Sequence, residues 1–331
     1  MATRWMRPSC LTELLARRRH SPSLPTPTEM QEEQEIPMKF LAYAQNGTEG
    51  LAIETDNGFR GLLSTDKKYP GSLLDLLKQG GTALEDAGKT LAGGQPVDED
   101  QVTYLPPVSD PEKIVCVGLN YHDHTAESGF AEQPDYPTLF GRFNSSLIGH
   151  GAPIMRPDCS DQLDYEGELV AIIGHEARDV SEAEALEYVA GYSIFNDGSI
   201  RDYQFKAPQW TPGKNFDDTG AFGPYFIPAD ALPDGCLGLK LKTVLNGKVV
   251  QEAMIDQMVF SVAQIVSICS QFMTLKPGDV IVTGTPSGVG LARKPQRWMK
   301  DGDVCEVEID QLGKLSNPIK DRVPAKTTEN A

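Results

Sequence analysis

The sequence predicts an α+β protein that is mainly β-structure. Two hairpin signals indicate this: an Asn-Gly pair at 246–247 follows alternating apolar positions, and Gln45-Asn46-Gly47 separates two apolar runs. Only a few segments carry helix signals, and they do not alternate with strands in the rhythm of a doubly wound parallel sheet. We therefore expect largely antiparallel strands with a few helices packed on them.

The first 37 residues predict a disordered extension. Five arginines face a single acidic residue, Glu13, before residue 29, and a Ser/Pro/Thr-rich stretch at 21–27 follows them. Two interpretations stay open. An Arg-rich, acid-poor segment is typical of an organelle transit peptide. Alternatively, the start of the chain is mis-assigned and Met38, where the first strand pattern begins, is the true start. The protein is expected to be cytoplasmic, or mitochondrial if this segment is a transit peptide.

Residues 38–104 predict a small N-terminal α/β module. Two strands flank the turn at 45–47, and a short helix is expected around 72–77. Glycine pairs and the acidic run at 98–100 then mark loops. We expect this module to carry no chemistry.

Residues 105–323 predict the main domain, followed by a short tail at 324–331. A Ser-Glu-Ala-Glu capping box at 181–184 predicts a helix that ends at Gly191, and apolar residues spaced three and four apart over 259–273 predict a second helix. Strands are expected at 280–283 and after the Asp-Gly-Asp turn at 301–303.

Composition restricts the classes of function. With 331 residues, 40% of them hydrophobic and 23% charged, the chain is long enough for one large domain and a smaller one. No apolar run approaches the roughly 20 residues of a membrane span. A formal charge of −17 argues against a nucleic-acid or anionic-lipid surface, so an anionic substrate would need a local positive site. The six cysteines form no C-x-x-C pair, which is typical of a reducing compartment.

Three carboxylates indicate a metal site. Glu166 and Glu168 are two apart at the start of an apolar strand and so share one face, while Asp197 ends the next apolar run. Oxygen ligands without a soft ligand nearby suit Mg²⁺ or Mn²⁺, with Ca²⁺ as a further option. The alternative is that the two glutamates form the polar face of a half-exposed strand.

Five motifs in order carry a resemblance to a known family. They are Gly-x-Asn-Tyr-x-x-His at 118–124, Glu-x-Glu at 166–168, Asn-Asp-x-Ser-x-Arg-Asp at 196–202, Gly-Lys at 213–214 and Thr-Gly-Thr-Pro-Ser-Gly-Val-Gly at 283–290. Over roughly 105–321 the chain resembles the fumarylacetoacetate hydrolase family. The resemblance implies a rolled, barrel-like mixed β-sheet for the catalytic domain 105–323 and a homodimer.

The resemblance also implies roles for single residues. His124 becomes a general base with Glu127 as its partner; the two are three residues apart and would share a face of a helical turn. Lys214 becomes an electrophilic group that stabilises an oxyanion or enolate. The polar stretch from His124 to Pro137 is consistent with a mobile lid over the site.

Three further residues are expected to bind substrate. Thr285 is carried over from the family as a contact to the substrate carboxylate, and Gln204 is a plausible hydrogen-bonding group. Arg142 stands where many family members have a Lys-Pro pair, and its planar guanidinium suits a second acidic end of the substrate.

The function predicted from these residues is hydrolysis of a C–C bond in an acylpyruvate or other 2,4-dioxo acid, with a divalent metal and a small anionic 2-oxo acid substrate. Decarboxylation or tautomerisation of oxaloacetate, isomerisation of a hydroxymuconate-type diacid, and a ureidoglycolate-type lyase reaction are alternatives on the same scaffold. An alternative from another class is a non-catalytic module that binds a metal or a small acid.

Overall fold

The computed structural model describes residues 38–123 and 135–323. As predicted, this part of the chain is mostly β with mixed sheets. The strands are β1 (Phe40–Gln45), β2 (Thr48–Thr55), β3 (Gly58–Leu63), β4 (Gln95–Pro96), β5 (Thr103–Tyr104), β6 (Ile114–Gly118), β7 (Thr138–Gly141), β8 (Leu147–Ile148), β9 (Ile154–Arg156), β10 (Leu163–Asp164), β11 (Gly167–Ile173), β12 (Val189–Asp197), β13 (Ser199–Ile200), β14 (Gly220–Pro228), β15 (Lys240–Leu245), β16 (Lys248–Met254), β17 (Val280–Val282), β18 (Val304–Ile309) and β19 (Gly313–Asp321). The helices are α1 (Leu73–Gln79), α2 (Ala83–Ala92), α3 (Arg201–Gln204), α4 (Thr211–Lys214) and α5 (Val262–Phe272).

The largest sheet has twelve strands. Its main path runs β4-β3-β2-β1-β14-β12-β11-β17-β6-β7, with β5 paired to β1 and β8 paired to β14. Most pairs are antiparallel, whereas β17 with β6 and β14 with β8 are parallel. The path has two ends, so within the described residues this sheet is open, and the expected barrel closure is not found. Pro96 at one end lacks the N–H that a further strand would need.

Strand β11 lies between β12 and β17 in the large sheet and is buried on both faces. Val170 and Ile172 pack toward the N-terminal strands and helices, whereas Leu169, Ala171 and Ile173 pack in the core shared with a second sheet of order β16-β15-β18-β19-β9. This alternation follows from the two-residue period of a strand. It fixes the direction of every side chain along β11, including that of Glu168.

The hairpin predictions are confirmed. Asn246 and Gly247 have φ angles of 51° and 73°, and they connect β15 and β16. Asn46 and Gly47 have φ angles of 51° and 78° between β1 and β2. Positive φ at both central residues is the geometry whose twist matches that of the flanking strands.

One helix prediction is wrong and two are confirmed. After Ser181 the chain forms only a 3₁₀ turn over Ala185–Tyr188, and β12 begins at Val189 inside the range predicted as helix. Pairing of β12 with both β11 and β14 outweighs the local capping signal. Helices α1 and α5 form close to the predicted ranges, each with a serine capping box. None of the described helices is long and apolar enough to cross a membrane.

Candidate active site

The structure brings together the three carboxylates of the predicted metal site. Glu166 directly precedes β11, Glu168 lies in it, and Asp197 ends the neighbouring strand β12. The Asp197 N–H donates to the Glu166 carbonyl at 2.8 Å, which aligns the two strand ends. All three residues are buried, and one oxygen of each carboxylate lies within 4.8 Å of the others. The site therefore offers three oxygen ligands to one cation.

Lys214 lies within this carboxylate cluster. It ends the short helix α4, and its Nζ donates to Glu166 Oε2 at 2.5 Å and to Asp197 Oδ2 at 2.6 Å. Burial acts to lower the pKa of Lys214, but the carboxylates of Asp197 and Glu166 outweigh it and raise the pKa above its ordinary value. The raised pKa favours the ammonium form of the side chain among these carboxylates. That Lys214 acts as an electrophile stays a prediction.

Glu168 is a buried carboxylate of the cluster whose pKa is strongly raised. Burial and then the negative charges of Asp197 and Glu166 raise its pKa well above the ordinary value of a glutamate. Its Oε2 accepts a hydrogen bond from the Gly284 N–H at 2.5 Å. A divalent cation shared by the three carboxylates would offset this repulsion, and an all-oxygen ligand set suits Mg²⁺ or Mn²⁺. The residues present thus fit a hard divalent metal.

Arg201 and Asp164 complete the cluster, and neither was among the residues predicted from the sequence. Arg201 Nε donates to Asp164 Oδ2 at 2.8 Å, and its Nη2 lies 2.6 Å from Glu166 Oε1. Asp164 also accepts from the N–H groups of Gly290 and Leu291 at 2.7 and 2.9 Å. Arg201 lies in the motif at 196–202, and Asp164 lies close to the motif at 166–168. Neither was predicted to belong to the site, because charged side chains are usually found at the protein surface.

Arg142 contacts Asp197 and other protein groups, whereas the sequence analysis predicted that it contacts the substrate. It forms a buried ion pair with Asp197 Oδ1. Its other contacts are to Ser146 Oγ at 3.2 Å, Thr219 Oγ1 at 2.8 Å and the Gly198 carbonyl at 3.3 Å. The guanidinium is thus engaged by the protein and is not among the residues found to line the cavity described next.

A cavity of about 680 Å³ opens beside the cluster. Among the described residues that line it are Glu166, Asp197, Lys214 and Arg201, together with the predicted substrate contacts Gln204 and Thr285 and many apolar side chains. This volume lies within the range of small-molecule sites, about 300–1,000 Å³.

Gln204 and Thr285 both line the cavity, and both use hydrogen-bonding groups on contacts within the protein. Gln204 Oε1 accepts from Arg201 Nη1 at 2.9 Å, so its amide is held in the same network as the cluster. The Thr285 hydroxyl donates to the Gly167 carbonyl at 3.0 Å and accepts from Gln251 Nε2 at 2.8 Å. Its proton is therefore already engaged, and it cannot at the same time be donated to a substrate carboxylate.

The predicted base and its partner, His124 and Glu127, lie outside the described residues, as does the stretch 124–134 of the predicted lid.

Comparison with known sequences identifies the family. The sequence profile described as fumarylacetoacetate (FAA) hydrolase C-terminal matches residues 113–320, which is well over half of the chain. The chain belongs to this family. The match contains all three carboxylates, both arginines and Lys214, and family membership makes the protein a relative of metal-dependent enzymes that act on small acids.

Named relatives of this family member differ in activity. The chain is 38% identical over 274 residues to "Oxaloacetate tautomerase fahd2, mitochondrial" of Xenopus laevis, covering 82% of this chain and 85% of that protein. A structure of a fumarylacetoacetate hydrolase from Exiguobacterium antarcticum is 36% identical, with a TM-score of 0.74 and coverage of 86% of this chain and 100% of that one. A structure of 5-carboxymethyl-2-hydroxymuconate delta-isomerase from Mycobacterium smegmatis is 29% identical, with a TM-score of 0.68 and coverage of 86% and 100%.

Proposed function

We propose that the protein is a divalent-metal-dependent tautomerase that interconverts the enol and keto forms of small 2-oxo acids, with oxaloacetate as the reference substrate. The observation that carries this proposal is a cavity whose wall combines Glu166 and Asp197 with the buried cations Lys214 and Arg201. The name of the Xenopus relative supports the reaction type. This choice takes up an alternative from the sequence analysis in preference to C–C hydrolysis.

The residues of the cluster have separate tasks in this proposal. Glu166, Glu168 and Asp197 would hold the metal, which when bound supplies a Lewis acid for the carboxylate and 2-oxo oxygens of the substrate. The ammonium of Lys214 stabilises negative charge that develops on the enolate oxygen, because a fixed cation in a dry site needs no reorganisation. Asp164 holds Arg201 against Glu166, which keeps the ligand carboxylate oriented.

The reaction moves one proton and consumes no water. The enol oxygen loses a proton and carbon 3 gains one, so atoms and charge balance without a co-reactant. We assign the transfer at carbon 3 to His124 with Glu127, the pair predicted from the sequence.

The test follows the loss of ultraviolet absorbance of freshly dissolved enol-oxaloacetate. EDTA should abolish the catalysed rate, and Mg²⁺ or Mn²⁺ should restore it. Lys214→Met should lower kcat by about 10²–10³, the usual effect of removing one fixed group that stabilises an oxyanion. Lys248→Met, at the exposed start of β16, serves as the matched control. Full tautomerase activity in a metal-stripped sample would contradict the proposal of a metal-dependent enzyme.

Hydrolysis of an acylpyruvate is the second candidate function. The name of the Exiguobacterium protein favours it. Pyruvate release from acetylpyruvate is measured beside the tautomerase assay, and His124→Ala should lower hydrolysis by about 10²–10⁴ if that residue activates water. Hydrolysis that exceeds tautomerisation in kcat/KM would make this the main activity. Decarboxylation of oxaloacetate, release of glyoxylate from ureidoglycolate, and isomerisation of a hydroxymuconate-type diacid are assayed in the same series.

We propose a homodimer as the state of assembly. Several large apolar side chains of the described surface are at least 39% exposed, among them Phe143, Phe205, Val249 and Val304. Covering such side chains is favourable, and symmetric dimers are the commonest assembly of soluble proteins. Sedimentation should show about twice the chain mass of 36.1 kDa, and a single-chain mass at micromolar concentration would contradict it.

We propose a mitochondrial location in preference to a cytoplasmic one. The name of the Xenopus relative places that protein in mitochondria, and residues 1–28 of this chain are Arg-rich and acid-poor, as transit peptides are. Fusing residues 1–37 to a fluorescent protein tests this directly. A diffuse cytoplasmic signal would favour the alternative.

A further inference from the structure

We propose that Phe140 and Trp210 form an aromatic wall that selects 2-oxo acids carrying an aromatic or other apolar substituent on carbon 3 over 2-oxo acids with a second carboxylate. This inference rests on the proposed tautomerase function and names the substrate class of the same site.

The aromatic wall begins next to the reacting groups. Phe140 in β7 and Trp210, which directly precedes α4, contact each other edge to face with ring centroids 5.6 Å apart. The Phe140 ring lies 4.9 Å from Lys214 Nζ, which itself touches two of the cluster carboxylates. A substrate held at the cluster by its 2-oxo acid end would therefore extend along these two rings.

The position of Trp210 depends on a glycine at the end of β6. A Cβ added to Gly118 would clash with Cζ3 of the Trp210 indole and lie 2.8 Å from its Cη2. The indole thus occupies the space that a side chain would take at residue 118. Gly118 is part of the Gly-x-Asn-Tyr motif, so this motif shapes the aromatic wall as well as leading to His124.

The rest of the described lining is mainly apolar. Besides the aromatic wall it includes Val117, Leu119, Phe205, Ala207, Pro208, Val289, Leu291 and Ala292. A four-carbon acid would fill little of a cavity of about 680 Å³ and leave much of this apolar surface in contact with water. An apolar substituent would cover it, which is favourable because apolar surface leaves water.

Charge balance at the cluster disfavours a second carboxylate. Seven buried side chains meet there, of which four are acidic and three are basic; they are Asp164, Glu166, Glu168, Asp197, Arg142, Arg201 and Lys214. If all are ionised, a divalent cation and one substrate carboxylate would bring the total charge of the cluster to zero, so a second carboxylate would have to be neutralised outside the cluster. Among the other described lining residues, Lys206 is cationic, and its Nζ lies 3.2 Å from the centroid of the Tyr203 ring.

The kinetic test compares phenylpyruvate with oxaloacetate, each added as the enol to the full-length protein with Mn²⁺. We expect kcat/KM to be about tenfold or more in favour of phenylpyruvate, since apolar pocket contacts discriminate by about 10–200-fold. Trp210→Ala should reduce this ratio at least about tenfold, and Trp210→Phe should recover part of it because a ring is retained. Trp298→Phe, which is not among the described residues that line the cavity, is the matched control and should leave the ratio unchanged.

A binding test separates recognition from turnover. Oxamate and N-phenyloxamate keep the two-point acid end and differ only in the aryl group. Calorimetry with Mn²⁺ should show tighter binding of N-phenyloxamate, and Trp210→Ala should remove most of the difference. Equal affinity of the two ligands, or an equal loss of both in the variant, would overturn the proposal of the aromatic wall.

The two proposals fail in different ways. If oxaloacetate is tautomerised and phenylpyruvate is not, the aromatic wall is wrong and the proposed function stands. If neither is tautomerised but N-phenyloxamate still binds more tightly than oxamate, selection by the aromatic wall stands and the reaction type is wrong.

Discussion

Glu168 illustrates how the fold positions charges that it does not fully neutralise. Glu166 and Asp197 contact Lys214, and each also pairs with an arginine, whereas Glu168 accepts a hydrogen bond from a backbone N–H and has a strongly raised pKa. Bringing like charges together in a buried site destabilises the metal-free fold. The same arrangement is what gives a cation its binding energy.

The first prediction concerns the substitution Glu168→Gln. The metal-free variant should melt at or above the temperature of the metal-free parent, because a buried negative charge is removed while Oε1 can still accept from Gly284. Its rise in Tm on adding Mn²⁺ should be largely lost, since ligand binding stabilises by mass action. Thermal melts with EDTA and with Mn²⁺ check this, and Glu176→Gln at an exposed site is the control. An unchanged rise in Tm would mean that Glu168 is not a ligand.

The second prediction separates two roles for Arg142. Lysine keeps the charge but cannot reproduce the contacts of the guanidinium with Ser146, Thr219 and Asp197. Arg142→Lys should therefore raise the Mn²⁺ concentration needed for half-maximal activity by about 10–100-fold, the usual effect of losing a partner of a metal ligand. KM for oxaloacetate at saturating Mn²⁺ should change much less. A large rise in KM for oxaloacetate with an unchanged requirement for Mn²⁺ would instead support the direct contact between Arg142 and substrate that the sequence predicted.

The residues that could be predicted for the site are of two kinds. Lys214 and Thr285 followed from the family resemblance, whereas the three carboxylates followed from their spacing. Glu166 and Glu168 are two apart in a strand, so their meeting with Asp197 follows once β11 pairs with β12. Arg201 was not predicted, because only the three-dimensional packing shows that its guanidinium is enclosed by Asp164 and Glu166. A sequence does not reveal whether an arginine faces water, substrate or another side chain.

At the scale of elements, the large sheet and the second sheet approach each other closely at Gly167. A Cβ at this position would clash with Thr243 Oγ1 in β15 and lie 3.0 Å from Val307 Cγ1 in β18. Thr243 is fully buried, and its hydroxyl has no hydrogen-bond partner among the described residues. The glycine between the two glutamates therefore sets the spacing between the carboxylate cluster and the second sheet.

The third prediction is a double-mutant cycle at this contact. Gly167→Ala should lower the free energy of unfolding by about 1–3 kcal/mol through overpacking. Thr243→Ala alone should cost little, because it also removes an unsatisfied buried hydroxyl. The double variant should regain much of the loss, which gives a coupling energy of about 0.5–3 kcal/mol in urea unfolding. Strictly additive effects would show that the close approach is not what requires glycine.

Local signals predicted the elements whose geometry is local. The Asn-Gly turns formed as expected, because they depend on residues next to each other in the sequence. Helices α1 and α5 also formed close to their predicted ranges, and each begins with a serine capping box that the sequence analysis did not single out. The segment from 181 also has a capping signal, but its second half pairs with β11 and β14, and that pairing is decided by residues far away in the sequence. Whether the large sheet closes into a barrel likewise depends on pairing between strands that are far apart in the sequence.

At the scale of the whole molecule, residues 38–104, which the sequence predicts to be an N-terminal module, extend the large sheet. Strand β1 pairs with β14 at Phe40 and Phe226, and the two rings pack 6.1 Å apart. Leu51, Leu73 and Leu91 of the module share one core with residues from β11, β12 and β14. Although the sequence predicts no chemistry for this module, it covers the face of β11 opposite the second sheet.

The last prediction compares two truncations. A chain that begins at Met38 should fold and turn over like the full chain, because the described core begins with β1 and the first 37 residues hold no predicted site residue. A chain that begins at Leu105 should be insoluble or lack a cooperative melt, since Ile172, Phe195 and Phe222 would lose their apolar cover, and exposed apolar patches of this kind drive aggregation. Solubility, thermal melts and the enol assay on both proteins check this. A soluble, active chain from Leu105 would show that the catalytic domain folds on its own, so that the shared core of β1, β14 and β11 adds stability without being needed for the site.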